Sequence, residues 1–195
     1  LHRPNPPIPS GLTQLQAVTQ HVAAIAAAEG IERLPSIWLP PLPGEIFLDQ
    51  ARPAEGWDGA TWRPPEQWLA PVVGIEDDPQ AREQRPLRLP FGKEGHALLY
   101  CAPGYGKTTF VQTLVTSLAL TYSPADVNLY LLDFGGRLLR LFEPLPHVGA
   151  VISADEPERL TRLLRYLKGE MERRRDLFAR ARVPSLAAYR AAGNT

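Results

Sequence analysis

The sequence predicts an α/β fold: a parallel sheet flanked by helices, entered through a Pro/Trp-rich arm. Three stretches carry that prediction. His96-Ala-Leu-Leu-Tyr-Cys101 is a short apolar run that leads directly into a glycine-containing loop. Residues 108–121 place Phe110, Val111, Leu114, Val115, Leu118 and Ala119 on one helical face. Residues 127–133 are almost continuously apolar, the pattern of a strand buried on both faces of a parallel sheet. Strand, loop, helix and strand in that order form one crossover unit.

The elements ahead of this unit differ in composition. The chain has 195 residues and 21 prolines, most of them between residues 4 and 90. Residues 12–29 space Leu12, Leu15, Val18, Val22 and Ile25 as one face of an amphipathic helix, which Gly30 ends. Residues 34–71 are punctuated by Pro and by Trp38, Trp57, Trp62 and Trp68, too broken for long elements, and read as an extended arm anchored by its aromatics. Short strands are expected near 72–75 and 87–90, with the charged stretch 76–85 as their exposed turn. Beyond the crossover unit, residues 155–182 read as one long helix with Leu160, Leu163, Leu164, Leu167, Met171 and Phe178 inward, interrupted by Pro184. These shifts divide the chain into a helix and linker (1–33), a Pro/Trp-rich arm with a small β lead-in (34–90), and the α/β part (91–195).

Bulk composition excludes several classes. Lys+Arg and Asp+Glu are equal at 21 each, so no charge excess points to nucleic acid or a membrane surface. A single Cys rules out an internal disulfide and a cysteine-based zinc site, in keeping with a cytoplasmic location. No apolar run reaches the roughly 18–20 residues of a membrane span. The abrupt start at Leu1 and end at Thr195 read as those of a fragment.

Chemistry concentrates at Ala102-Pro103-Gly104-Tyr105-Gly106-Lys107-Thr108-Thr109. Small residues let successive backbone N–H groups converge on phosphate oxygens at a helix N-terminus, while Lys adds a point charge and Ser/Thr a magnesium ligand. In this P-loop pattern Gly104 and Gly106 permit the turn, Lys107 serves the β- and γ-phosphates, and Thr108 offers its hydroxyl to Mg²⁺. The expected ligand is ATP with Mg²⁺. One position departs from G-x-x-x-x-G-K-[ST]: Cys101 stands where the first Gly belongs, and its side chain is expected to crowd the turn.

Other residues weigh less. Asp133-Phe134-Gly135-Gly136 ends the strand after the loop helix; Asp133 there serves either Mg²⁺ and the attacking water or a structural strand-end turn. No His-Arg-Asp loop precedes it, which excludes the protein-kinase reading of the same tripeptide. His147 is a lone loop histidine without metal partners. Arg162, Arg165, Arg173, Arg174 and Arg175 alternate with Glu158, Glu170, Glu172 and Asp176, as on a solvated, self-paired helix face.

The motifs together resemble the FtsK/SpoIIIE-type ATPases, and within them the multi-cassette EccC/EssC ATPases of type VII secretion. The resemblance rests on Ile37-Trp38-Leu39-Pro40-Pro41-Leu42, on Leu118-Ala119-Leu120-Thr121 with Ser123-Pro124, on Tyr130 through Gly136, and on Leu145-Pro146-His147-Val148-Gly149. It covers residues 34–180 and implies a RecA/FtsK-like sheet in truncated form. A first cassette would carry Asp-Phe-Lys-Gly-Gly at the strand end, so Asp133-Phe-Gly-Gly resembles a second or third, distal cassette. The resemblance further implies a Walker B carboxylate and arginine finger beyond Thr195, partner cassettes on the same polypeptide, membrane proteins of a secretion complex, secreted protein substrates, a hexamer, and a cytoplasmic placement on a membrane-anchored protein. The function it implies is an ATP-driven secretion motor. The alternatives are an ATP-bound regulatory module without turnover and a double-stranded DNA translocase, the latter disfavoured by the neutral charge.

Overall fold

The computed structural model describes residues 11–32, 34 and 38–193. Residue 37 of the Ile37–Leu42 run and residues 1–10 of the proline-rich start lie outside them. Two compact units are present: Leu1–Leu42 with Asp77–Glu83, and Pro43–Glu76 with Gln84–Thr195.

In the first unit, α1 (Gln14–Ala28) matches the amphipathic pattern closely. Thr13 caps it: its hydroxyl accepts from Gln16 N–H while the Gln16 side chain accepts from Thr13 N–H, a reciprocal capping box. Gly30 follows the helix at φ 69°. α1 buries none of its residues.

The second unit begins with α2 (Leu48–Ala51) and a two-residue hairpin, β1 (Gly56–Trp57) with β2 (Trp62–Arg63), paired antiparallel. This stretch is less extended than the broken sequence suggested. Asp58 makes the turn by accepting from the N–H groups of Ala60 and Thr61. Those bonds, ahead of its contact with Arg63, pull its pKa down to about 2. Glu55 and Arg88 form a nearly buried ion pair at 2.8 Å, in which Arg88 also donates to the Ala70 carbonyl.

β3 (Val72–Asp78) and β4 (Glu83–Arg88) form a second sheet. They are longer than expected and joined by only residues 79–82, a connection suited to an antiparallel pair. The charged residues 76–78 and 83–85 thus lie in the strands, where Arg85 pairs with Glu76. A short helix, α3 (Phe91–Glu94), comes next.

The predicted strand at 96–101 is not one. The segment has no ladder partner, and Leu98 and Tyr100 are 95% and 94% exposed. A strand exists only where a neighbour takes its N–H and C=O groups, and among the described residues none does.

α4 (Lys107–Thr121) follows the glycine loop and packs Val115 and Leu118 inward. β5 (Leu129–Asp133) pairs in parallel with β6 (Val148–Ser153), an element the sequence reading passed over. Between them lies a 3-10 turn, Leu138–Phe142, whose Leu139 and Phe142 join Val115, Leu131 and Val151 in the core. β5 is covered on one side only, since Leu132 is 43% exposed. The ring of Tyr130 lies across Gly149: a Cβ there would meet Tyr130 Cε1 at 2.5 Å.

α5 (Pro157–Ala181) is the long helix expected, started by Pro157 and ended by Arg182 in the left-handed region. Only Leu163 is fully buried; Leu160, Leu167 and Phe178 are half-buried, while Leu164 and Met171 are exposed, contrary to the expected inward face. Its polar face is self-paired in part, with Arg173 and Arg174 both on Glu170, whose pKa they hold down at about 2. α6 (Leu186–Ala191) is capped by Ser185. Its Arg190 stacks 3.8 Å over the Trp68 ring and pairs with Asp126.

Candidate nucleotide-binding site

The glycine loop turns as its sequence requires. Gly104 and Gly106 have φ of 83° and 80°, a region that residues with a Cβ avoid. Gly106 is also the N-cap of α4, so the helix begins at Lys107 without a break. Tyr105 N–H donates to Ala102 O, closing the turn, and Phe110 N–H donates to Gly106 O as the helix starts. Residues 102–109 are all exposed.

Lys107 folds back over the loop. Its ammonium donates to the carbonyls of Cys101 at 2.5 Å and Ala102 at 3.0 Å. The cation therefore stands at the rim of the turn, with the open N-terminus of α4 beside it, and positive charge and helix dipole combine at one place. Thr108, one residue on, has no hydrogen-bond partner for its hydroxyl among the described residues.

Cys101 does not crowd the turn as expected. Its φ lies outside the left-handed region, so its Cβ meets no backbone strain there. Its half-buried thiol reaches the Tyr105 carbonyl at 3.8 Å, a weak clasp across the base of the loop.

Asp133 is only 9% exposed and its carboxylate is turned to backbone. Oδ2 accepts from Leu139 N–H at 3.0 Å and Oδ1 from Gly135 N–H at 3.1 Å. The Leu139 bond, ahead of the others, holds its pKa below the usual carboxylate value. Lys107 is gathered with the loop, whereas Asp133 is occupied by the turn that follows β5.

The far end of α4 holds residues that the sequence gave little reason to single out. Tyr122, its C-cap, is 2% exposed. The Tyr122 hydroxyl accepts from Ala70 N–H at 2.8 Å and donates to Gln67 O at 3.2 Å. His147, expected to be a metal-free loop residue, is buried, and its Nε2 meets the Tyr122 carbonyl at 2.7 Å while Trp62 packs edge-on against its ring. Trp62 and Trp68 thus act as packing anchors, whereas Trp57, tilted against Trp62, is 45% exposed and Trp38 is 75% exposed. The sequence signal was the recurrence of aromatics ahead of the loop, though not which of them meet.

A groove of about 770 Å³ opens elsewhere in this unit, between the C-terminal half of α4, the start of β5 and α5–α6, with Trp68, Leu118, Tyr130, Tyr166 and Met171 among its walls. None of residues 101–109 lines it. Among the described residues no cluster of His, Cys, Asp and Glu could hold a metal ion, and no helix is long and apolar enough to cross a membrane.

The sequence matches the model of the FtsK/SpoIIIE family over residues 57–195. The chain belongs to the FtsK/SpoIIIE family. It has the P-loop fold of that family, here with the parallel β5–β6 pair and α4 in place. It is similar to the type VII secretion system protein EssC of Staphylococcus aureus, at 30% identity over 91% of this chain and 12% of that protein. It is likewise similar to the ESX secretion system protein EccC of Geobacillus thermodenitrificans, at 30% identity over 92% of this chain and 11% of that protein. The chain therefore spans about one-eighth of the length of these FtsK/SpoIIIE relatives.

Solved structures agree. The cytoplasmic domain of the Thermomonospora curvata type VII secretion ATPase EccC superposes with a TM-score of 0.67 at 34% identity, covering 81% of this chain and 19% of that one. ATPases 2 and 3 of the same protein, in complex with a signal sequence peptide, superpose at 0.66 and 33% identity, covering 81% and 30%. The chain is thus homologous to ATPase modules of type VII secretion proteins, and the family implies nucleotide binding.

Proposed function

We propose that this chain is the N-terminal part of a distal ATP-binding cassette of a type VII secretion motor, coupling ATP binding or hydrolysis to the export of secreted proteins. The observation that carries the reading is the open loop: two left-handed glycines, a helix N-terminus and the Lys107 ammonium meet at one exposed rim. Within the cassette, residues 1–33 form a helix and linker, 34–90 a lead-in, and 91–195 the start of the ATPase domain. Residues 102–109 hold the phosphates, and Lys107 exchanges its two loop carbonyls for phosphate oxygens when nucleotide arrives. Mg²⁺ fits the same rim: Thr108 would hold it through a hydroxyl with no other partner, and the ion would neutralise charge on the phosphate oxygens. Partners in this reading are neighbouring cassettes of the same polypeptide, a hexamer of such chains, membrane proteins that anchor the complex to its cytoplasmic side, and secreted substrates. Support for the last comes from the relative whose ATPases 2 and 3 were solved with a signal sequence peptide.

Isothermal titration with ATP·Mg tests the reading. Removal of one charge-assisted contact is worth about 1.5–3 kcal/mol, so Lys107→Ala is expected to weaken ATP binding by roughly 10- to 150-fold. Unchanged affinity in Lys107→Ala refutes it.

A second reading keeps ATP and drops turnover, making the cassette a regulatory or scaffold module. Asp133 is in keeping with it: Gly135 and Leu139 N–H groups hold this carboxylate in the turn after β5, so in this reading Asp133 is structural and takes no part in hydrolysis. Steady-state hydrolysis by the complete protein decides: robust turnover abolished by Thr108→Ala eliminates the regulator.

A further inference from the structure

α4 is held most firmly in its second half, with Val111 of its first half only partly buried against the core. Its buried residues, Val115, Ser117, Leu118 and Thr121, all lie in its second half, while Lys107, Thr108 and Thr109 and the loop before them are exposed. Lys107 bonds only the loop itself. The placement of the phosphate rim therefore depends on the light contact of Val111 and on how the far end is gripped. That grip converges on Tyr122. Its hydroxyl is bonded to Ala70 N–H and Gln67 O, its carbonyl to His147 Nε2, and its ring is edge-on to Trp68 at 5.4 Å between centroids. Beside it, Gly56 approaches so closely that a Cβ would stand 2.2 Å from the Leu120 carbonyl oxygen and 2.6 Å from Thr121 Cα.

We propose that Tyr122 is a positioning residue for the nucleotide loop: by fixing the C-terminal end of α4 to the 56–70 arm, it sets the tilt of the helix and so the placement of Gly104–Thr109 against phosphate. The proposal rests on the ATP-binding reading above. From Val115, the first fully buried residue, back to Lys107 is eight residues or about 12 Å, so a tilt of about 5° around that point displaces the loop by roughly 1 Å. A displacement of about 1 Å at a reacting centre can cost on the order of a hundredfold. The arm that carries Ala70 and Gln67 is thereby a second input to the site, acting through α4 without touching nucleotide.

The test is Tyr122→Phe in the full chain, which keeps the ring against Trp68 and removes both hydroxyl bonds. Glu156→Gln is the comparison: it weakens the hold on the start of α5 and touches neither the arm nor Tyr122. ATP affinity by titration is expected to fall about 2- to 30-fold in Tyr122→Phe, the range for changes along a contact network, and by less than about twofold in Glu156→Gln. Equal losses in the two variants would reduce Tyr122 to a stability role and overturn the proposal, as would unchanged affinity in Tyr122→Phe. A wild-type measurement covers the case in which the variant does not fold. Saturating ATP is expected to slow hydrogen exchange at the Ala70 amide, the donor to the Tyr122 hydroxyl, and an unaltered rate there overturns the proposal. Wild-type chain that binds no ATP at all refutes instead the ATP-binding reading.

Discussion

Asp133→Ala separates two roles for the acidic residue at the end of β5. In the structure its carboxylate accepts from Leu139 N–H in a buried setting and from Gly135 N–H in a half-buried one. Hydrogen bonds to a charged group contribute about 1.5–3 kcal/mol each, and discounting the more solvated one leaves an expected loss of about 2–4 kcal/mol. Against a typical domain stability of 5–15 kcal/mol that is a large fraction. Urea denaturation at pH 7 followed by circular dichroism measures it. The pH dependence follows from the lowered pKa. A carboxyl whose folded pKa lies below its unfolded value of about 3.9 contributes its stabilisation above that value and loses it as pH falls through the folded pKa. The gap between wild type and Asp133→Ala should therefore be full at pH 7 and shrink below about pH 4. A loss under about 1 kcal/mol at pH 7, together with abolished ATP·Mg binding, would refute the structural role and place the carboxylate at the nucleotide.

Two further outcomes are expected. Gly56→Ala should lower stability by about 2–4 kcal/mol, combining left-handed strain with overlap on the α4 backbone, as read from the urea midpoint; an effect below about 1 kcal/mol would mean that the hairpin does not press on α4. Cys101→Gly, which restores the usual first loop residue, should change ATP affinity by less than about threefold, or roughly 0.6 kcal/mol, because Cys101 already sits in an unstrained backbone region; a tenfold gain by titration would show that its side chain does crowd the loop.

The loop and α4 were legible in the sequence because everything that shapes them is local. Gly104, Gly106 and Lys107 act within one turn, and the apolar face of residues 110–119 repeats every three or four positions. α1 and α5 were legible for the same reason. What failed was relational. Residues 96–101 have the composition of a strand, but strand status belongs to a pair. Leu164 and Met171 fit the helical period of α5, yet whether a flank is covered depends on what packs beside it. β6 was missed because Pro146, His147 and Gly149 drew attention to the loop, although Val148 through Ser153 is itself a short apolar run bounded by Pro146 and Asp155. Among the tryptophans, composition marked Trp38, Trp57, Trp62 and Trp68 alike as anchors, without showing that Trp38 stays exposed or that Trp62 and Trp68 meet His147 and Tyr122. The phosphate chemistry was readable from one octapeptide; the grip on its helix comes from Gln67, Ala70 and His147, which no local pattern ties to it.

The overlap between Tyr130 and Gly149 has a consequence for descent. The aromatic ring occupies the volume that a side chain at 149 would need, so a substitution at Gly149 forces the Tyr130 ring aside, and a small residue at 130 leaves room for a larger partner at 149. Aligned relatives should show aromatic with glycine, or small with bulky, and be depleted in mixed pairings.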